Sequence, residues 1–192
     1  MMDIRHGLGS VDESRKGDWQ QVYGMRKFWP LDPRPAEVHH EVVAHALALQ
    51  CRFGGHVNAF YSVAEHSVRV SLACDPKDAL WGLLHDASEA FLCDLVRPVK
   101  VQPEYEPYRR HEAAIMKAVC IRYALVFARP ESVSRADEVL LATEARDLIS
   151  PECLTAWRFT VPPLPERIDP WTWQEAETRF LARFAQLTGG RY

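Results

Sequence analysis

The sequence predicts an all-α fold, and three observations carry that prediction. Between Pro and Gly punctuation the apolar residues recur with a period near 3.6 and do not alternate. Helix-start signals stand at Ser62-Val63-Ala64-Glu65 and Asp169-Pro170, and residues 79–92 are apolar nearly all round, as a central helix surrounded by others requires. With 192 residues, 47% of them hydrophobic and 26% charged, one domain over 1–192 buries a sizeable core without staples.

The elements follow in order. Residues 1–35 are mixed and turn-rich, with Trp19, Tyr23, Phe28 and Trp29, and form a short hairpin or an irregular arm. Asp32-Pro33-Arg34-Pro35 opens a helix to about residue 50, with Val38, Val42, Ala46 and Leu49 on one face, and Gly54-Gly55 breaks it. The capping-box pattern at 62–65 starts a helix whose stripe is Val63, His66, Val70 and Ala73, so His66 points inward. After Asp75-Pro76 comes the 79–92 helix, then an amphipathic one over about 104–123 with Tyr108, Glu112, Ile115, Met116, Val119 and Tyr123 near one face. Another runs from Ser134 to about Ile149. Five prolines make 150–170 a looped crossing, and Asp169-Pro170 caps a last helix, about 170–188, striped by Trp173, Ala176, Phe180, Phe184 and Leu187.

Charge and cysteine usage exclude several classes. The 23 basic and 26 acidic residues leave a net charge of −3, without the field that draws a nucleic-acid polymer. No apolar run approaches the roughly 18 residues that span a bilayer, and residues 1–12 lack a signal-peptide core. Cysteines 51, 74, 93, 120 and 153 form no C-x-x-C pair, so reduced thiols in the cytoplasm are expected.

The chemistry lies where charge interrupts apolar surface. On one continuous helix, at about 100° per residue, His85, Asp86 and Glu89 crowd a single sector. Burying a carboxylate alone costs several kcal/mol, and a divalent cation between imidazole and carboxylate cancels that charge. Two adjacent ligands cannot close a coordination sphere. His66, 19 residues before His85, and Asp137, on a face with Leu140, Leu141 and Glu144, are the candidates from neighbouring helices.

The set Glu65-His66-Ser67, Leu84-His85-Asp86-Ala87-Ser88-Glu89-Ala90, Asp94, Pro98-Val99-Lys100 and Ala136-Asp137 resembles the HD-domain metal-dependent phosphohydrolases over roughly residues 50–145. Within that superfamily it is similar to bacterial 5′-deoxynucleotidases. The segment from Arg52 to His56, with 60–67, also resembles phage-type deoxynucleoside triphosphate phosphohydrolases. The His66–His85 interval is shorter than in the deoxynucleotidases, and Cys93 stands where a Gly commonly precedes the aspartate.

The resemblance implies an HD-domain helical bundle with a central buried metal-binding helix. It implies that His66, His85, Asp86 and Asp137 hold a divalent metal (Mn, Co, Zn or Mg) and that Glu89 and Asp94 handle water and protons. Arg52 and Lys100 match phosphate-contacting positions, with solvated surface charge as their alternative. His56 is a further substrate-binding candidate, with a structural role as its alternative. The implied reaction is attack of metal-activated water on phosphorus in a small (deoxy)nucleotide, in a homo-oligomeric enzyme. Phe28 and Trp29 are candidates for base and sugar recognition, with core packing as the alternative for each. The rival readings are a cyclic-nucleotide phosphodiesterase, which usually needs more ligands, and a non-catalytic metal- or nucleotide-sensing module, for which Glu89 and Asp94 are superfluous.

Overall fold

The computed structural model describes residues 14–154 and 157–192. The expectation for residues 1–12 therefore lies outside the described residues. The described chain is mostly helical, with one small hairpin.

The hairpin pairs β1 (Gln20–Val22) with β2 (Arg26–Phe28) antiparallel, Gln20 opposite Phe28. Gly24 at φ 74° and Met25 at φ 57° make the turn. Phe28 is fully buried and stacks on Phe91 at 3.8 Å between ring centroids, so it takes the core-packing role of its two alternatives. Trp29 is half-buried beneath Arg15, whose guanidinium carbon lies 4.1 Å from the ring centre and whose Nε pairs with Asp32 at 2.7 Å.

The helix expected from the Pro33/Pro35 signal is split. A 3₁₀ turn (Pro35–Glu37) is followed by extended Val38 and His39, and only then by α1 (His40–Leu49). The Val38 carbonyl accepts from Tyr123 Oη and not from a helical N–H. This break shifts the buried face to Val42, Val43, Leu47 and Ala48 and leaves Leu49 exposed. The loop after α1 is clamped by an antiparallel bridge, Cys51 against Ser62, with Arg52 N–H donating to Tyr61 O at 2.9 Å.

α2 (Val63–Ala73) starts where expected, because Ser62 Oγ accepts from Glu65 N–H at 3.0 Å. The Glu65 carboxylate does not complete the capping box. It is fully buried and accepts instead from Arg69 and from Trp171 N–H at 2.8 Å. α2 packs against α1, against α3 (Ala79–Leu84), against α7 (Glu131–Leu148) and against α9 (Trp173–Thr188), and 63–68 are buried on every side. The central helix is thus α2.

Residues 79–92 do not form one helix. α3 stops at Leu84, residues 85–88 turn through i→i+3 bonds (Ala87 N–H to Leu84 O, Glu89 N–H to Asp86 O), and α4 (Glu89–Leu92) follows. α5 (Arg97–Lys100) and a 3₁₀ turn lead into α6 (Glu106–Arg122). α7 begins three residues before the expected Ser134, with Pro130 as its flanking residue, and α8 (Pro151–Leu154) opens the crossing. In α9 Thr172, not Asp169-Pro170, is the cap, accepting from Glu175 N–H at 3.2 Å, and Gly189 at φ 61° closes the helix. Ala176, Phe180 and Phe184 are its buried stripe. Cys74 and Cys120 are buried, with burial raising both thiols, and all five cysteines are free. Among the described residues no helix is long and apolar enough to cross a membrane.

Candidate metal centre

Three helices converge on one spot. His66 is fully buried one turn into α2, and His85 with Asp86 forms the turn that leaves α3. Asp137 projects from α7. His66 Nε2 lies 3.2 Å from both His85 Nε2 and Asp137 Oδ1, and His85 Nε2 lies 3.1 Å from Asp86 Oδ2. One ligand atom each from His66, His85 and Asp86 fall within 4.8 Å of one another, and Asp137 Oδ1 is 4.0 Å from His85 Nε2.

Both rings face inward through Nε2 because Nδ1 is committed elsewhere. His66 Nδ1–H donates to Glu144 Oε1 at 2.5 Å, and His85 Nδ1–H donates to the Gly82 carbonyl at 2.8 Å. Two imidazole Nε2 atoms flanked by two carboxylates make, once His66 gives up its Nε2 proton, a donor set that suits a borderline divalent cation.

The charges are strongly coupled. Burial and the Arg52 guanidinium act to lower the His66 pKa, but the Glu144 and Asp137 carboxylates overcome both and push it up to about 9. Against the opposing effect of burial, His85 and then His66 hold Asp86 below the usual carboxylate range, and His66 does the same for Asp137.

Glu89 opens α4, 5% exposed, with Oε1 3.4 Å from Lys100 Nζ and Oε2 without a hydrogen-bond partner among the described residues. Burial, followed by Asp86 and Asp94, raises its pKa well above the ordinary carboxylate value. Asp94 is half-buried, and burial raises its carboxyl too. Cys93 before it adopts φ 67° and ψ 156°, a region that is essentially glycine's.

Arg52 and Lys100 are neither solvated surface charges nor free cations. Arg52 Nη2 donates to Glu144 Oε2 at 3.0 Å and Nη1 lies 3.7 Å from Asp86 Oδ2, while Lys100 Nζ pairs with Glu112 at 2.6 Å. His56 stands exposed at the end of the 3₁₀ turn over 52–55 and is not brought to the cluster.

Three further residues, none of which the motifs single out, belong here. Glu144 anchors His66, and its seven-residue spacing from Asp137 on one helical face was the available signal. Gln50 donates to Glu89 O at 3.0 Å and accepts from Asp94 N–H at 2.9 Å, which fixes both carboxylate-bearing segments. Arg129, 36% exposed, donates to Asp137 Oδ2 at 2.8 Å. Neither of the last two has a local sequence signature.

No family model matches the chain. It is 39% identical over 107 residues to Uncharacterized protein YfdR of Escherichia coli K12, covering 55% of this chain and 58% of YfdR. It is 32% identical over 140 residues to Uncharacterized protein RCAP_rcc00048 of Rhodobacter capsulatus, covering 68% of this chain and 71% of that protein. The chain belongs to the family of RCAP_rcc00048. It spans somewhat over half the length of YfdR.

Proposed function

We propose that this protein is a metal-dependent phosphohydrolase of the HD-domain type, acting in the cytoplasm on a small deoxynucleotide, as a 5′-nucleotidase or a deoxynucleoside triphosphate phosphohydrolase. One observation carries the reading: two imidazole Nε2 atoms from α2 and the end of α3 face each other at 3.2 Å, with carboxylate oxygens of Asp86 and Asp137 beside them. The spacing and chemistry of these donors fit a divalent cation held by His66, His85, Asp86 and Asp137. Such a cation lowers the pKa of water towards neutrality and neutralises charge on a phosphate oxygen.

The chain's own groups supply the rest. Glu89 Oε2, buried and without a hydrogen-bond partner among the described residues, takes the proton of the attacking water when ionised, and its raised pKa lets it hold that proton better than a solvated Glu. Asp94, with a raised pKa of its own, delivers a proton to the leaving oxygen. Gln50 keeps the two segments in register through their backbone. Arg52 and Lys100 act from behind the carboxylates, balancing charge, and the exposed Arg129 meets the phosphoryl oxygens.

Metal analysis of the purified protein, with a release screen over nucleoside mono-, di- and triphosphates, tests the reading. Phosphate, pyrophosphate and triphosphate report which bond is cut, and light scattering reads the expected homo-oligomer. Removing any one of the four ligands should lose metal and activity together. Absence of bound metal, or cutting of single-stranded DNA with no release from any free nucleotide, overturns the proposal.

A further inference from the structure

We infer that Glu144 is a positioning residue that sets the His66 ring through its Nδ1 proton and makes Nε2 the ligand atom. The inference rests on the metal reading above and adds a residue to it. Glu144 is fully buried on α7, two turns beyond Asp137, and both its oxygens are engaged by cation-capable groups. Oε1 accepts from His66 Nδ1–H at 2.5 Å and Oε2 accepts from Arg52 Nη2 at 3.0 Å.

A ring bonded through Nδ1 must aim Nε2 away from its anchor. It does so here, into the space shared with His85 Nε2 and Asp137 Oδ1 at 3.2 Å each. Fixing the ring orientation and proton position in this way strengthens the donor nitrogen and holds it in place. The two histidines are treated unequally, since His85 leans on a neutral carbonyl and His66 on a carboxylate. His66 is therefore the stronger donor. A group serving only to join α7 to the loop over 50–62 needs no charge, and burying a carboxylate is costly unless a partner such as Arg52 offsets it. Arg52 is that partner, and its Nη1, 3.7 Å from Asp86 Oδ2, ties the unit to the other side of the cluster.

The test is titration of the metal-free protein with Mn²⁺, together with the ring ¹H–¹⁵N spectrum of its histidines. In Glu144→Gln the His66 Nδ1 proton should lose its strong downfield shift. Mn²⁺ affinity of the folded variant should fall about 10- to 100-fold, as for other outer partners of metal-bound histidines, while the thermal midpoint drops because Arg52 loses the charge of its buried partner. If this variant does not fold, the double variant R52M/E144M, which leaves neither charge alone, should fold and show the same fall in affinity. Parent-like Mn²⁺ affinity in the folded variant, or a His66 Nδ1 signal indifferent to the change, overturns the inference. If the parent takes up no Mn²⁺ the metal reading fails, and the Nδ1 signal still decides the place of Glu144.

Discussion

Gly82 lies so close to Ser71 that a Cβ on it would sit 3.2 Å from the Ser71 Cα, and 2.9 Å from Cys74 Sγ. This contact sets how near α3 comes to α2, and so how near His85 comes to His66. Gly82→Ala gains about 1 kcal/mol of helix propensity. It should nonetheless destabilise by about 1–3 kcal/mol, because backbone on the far side cannot yield as a flexible side-chain end would. Urea denaturation reads the first effect, and Mn²⁺ affinity, expected to weaken as the histidines separate, reads the second.

Arg52→Met should behave as a stability and metal variant and not as a substrate-affinity variant. It leaves Glu144 buried without its cation, and breaking a buried pair from one side costs about 3–5 kcal/mol. Loss of folded protein or of bound metal is expected, with R52M/E144M less damaged than either single change. A raised KM with normal metal content and stability would put Arg52 back on the substrate.

These two cases show what the sequence could carry. The helices α2, α6, α7 and α9 were legible because their apolar period and, for α2, the Ser62–Glu65 cap are local. The turn over 85–88 was not. It replaces a helical turn with i→i+3 bonds while the His85 ring bonds back to Gly82, and an apolar period does not encode that. His66, His85, Asp86 and Asp137 were recoverable as polar residues on inward faces. The Arg52–Glu144 pair joins residues 92 positions apart, and a guanidinium reads identically in sequence whether it faces phosphate or a buried carboxylate.

Metal binding should release a proton. With His66 raised to about 9 from an ordinary 6.5, the folded metal-free protein carries a proton there at neutral pH. The stabilisation this gives is complete below the unfolded value and is lost as pH rises through about 9. A cation must displace that proton, so apparent Mn²⁺ affinity should climb with pH up to that value and level off beyond it. Calorimetry in buffers of differing ionisation enthalpy counts the protons. None released at pH 7 would contradict the charge on His66.

Arg129→Ala should leave the fold nearly untouched, since a partly exposed pair contributes about 0–1 kcal/mol. Metal content should hold as well. The expected loss is in phosphate recognition: a higher KM and weaker competitive inhibition by inorganic phosphate, with Arg129→Lys only a partial rescue because an ammonium lacks the guanidinium fork. If metal is lost instead, Arg129 serves Asp137 alone.

Glu89→Gln separates chemistry from stability. The amide keeps the shape and cannot take a proton, so turnover should fall about 10²- to 10⁴-fold with metal retained. Stability should move the other way. Burial beside Asp86 and Asp94 raises the Glu89 pKa in the folded state, so the folded chain holds this proton more tightly than the unfolded chain does. As pH rises from the unfolded value of about 4.3 towards that raised value, the parent loses stability that the neutral amide never has to lose. The variant in metal-free form should therefore match the parent in acid and gain on it as pH climbs through this window, read as a widening difference in urea midpoints. A variant that turns over like the parent and shows no such widening would make Glu89 a structural carboxylate, with the base to be sought at Asp94.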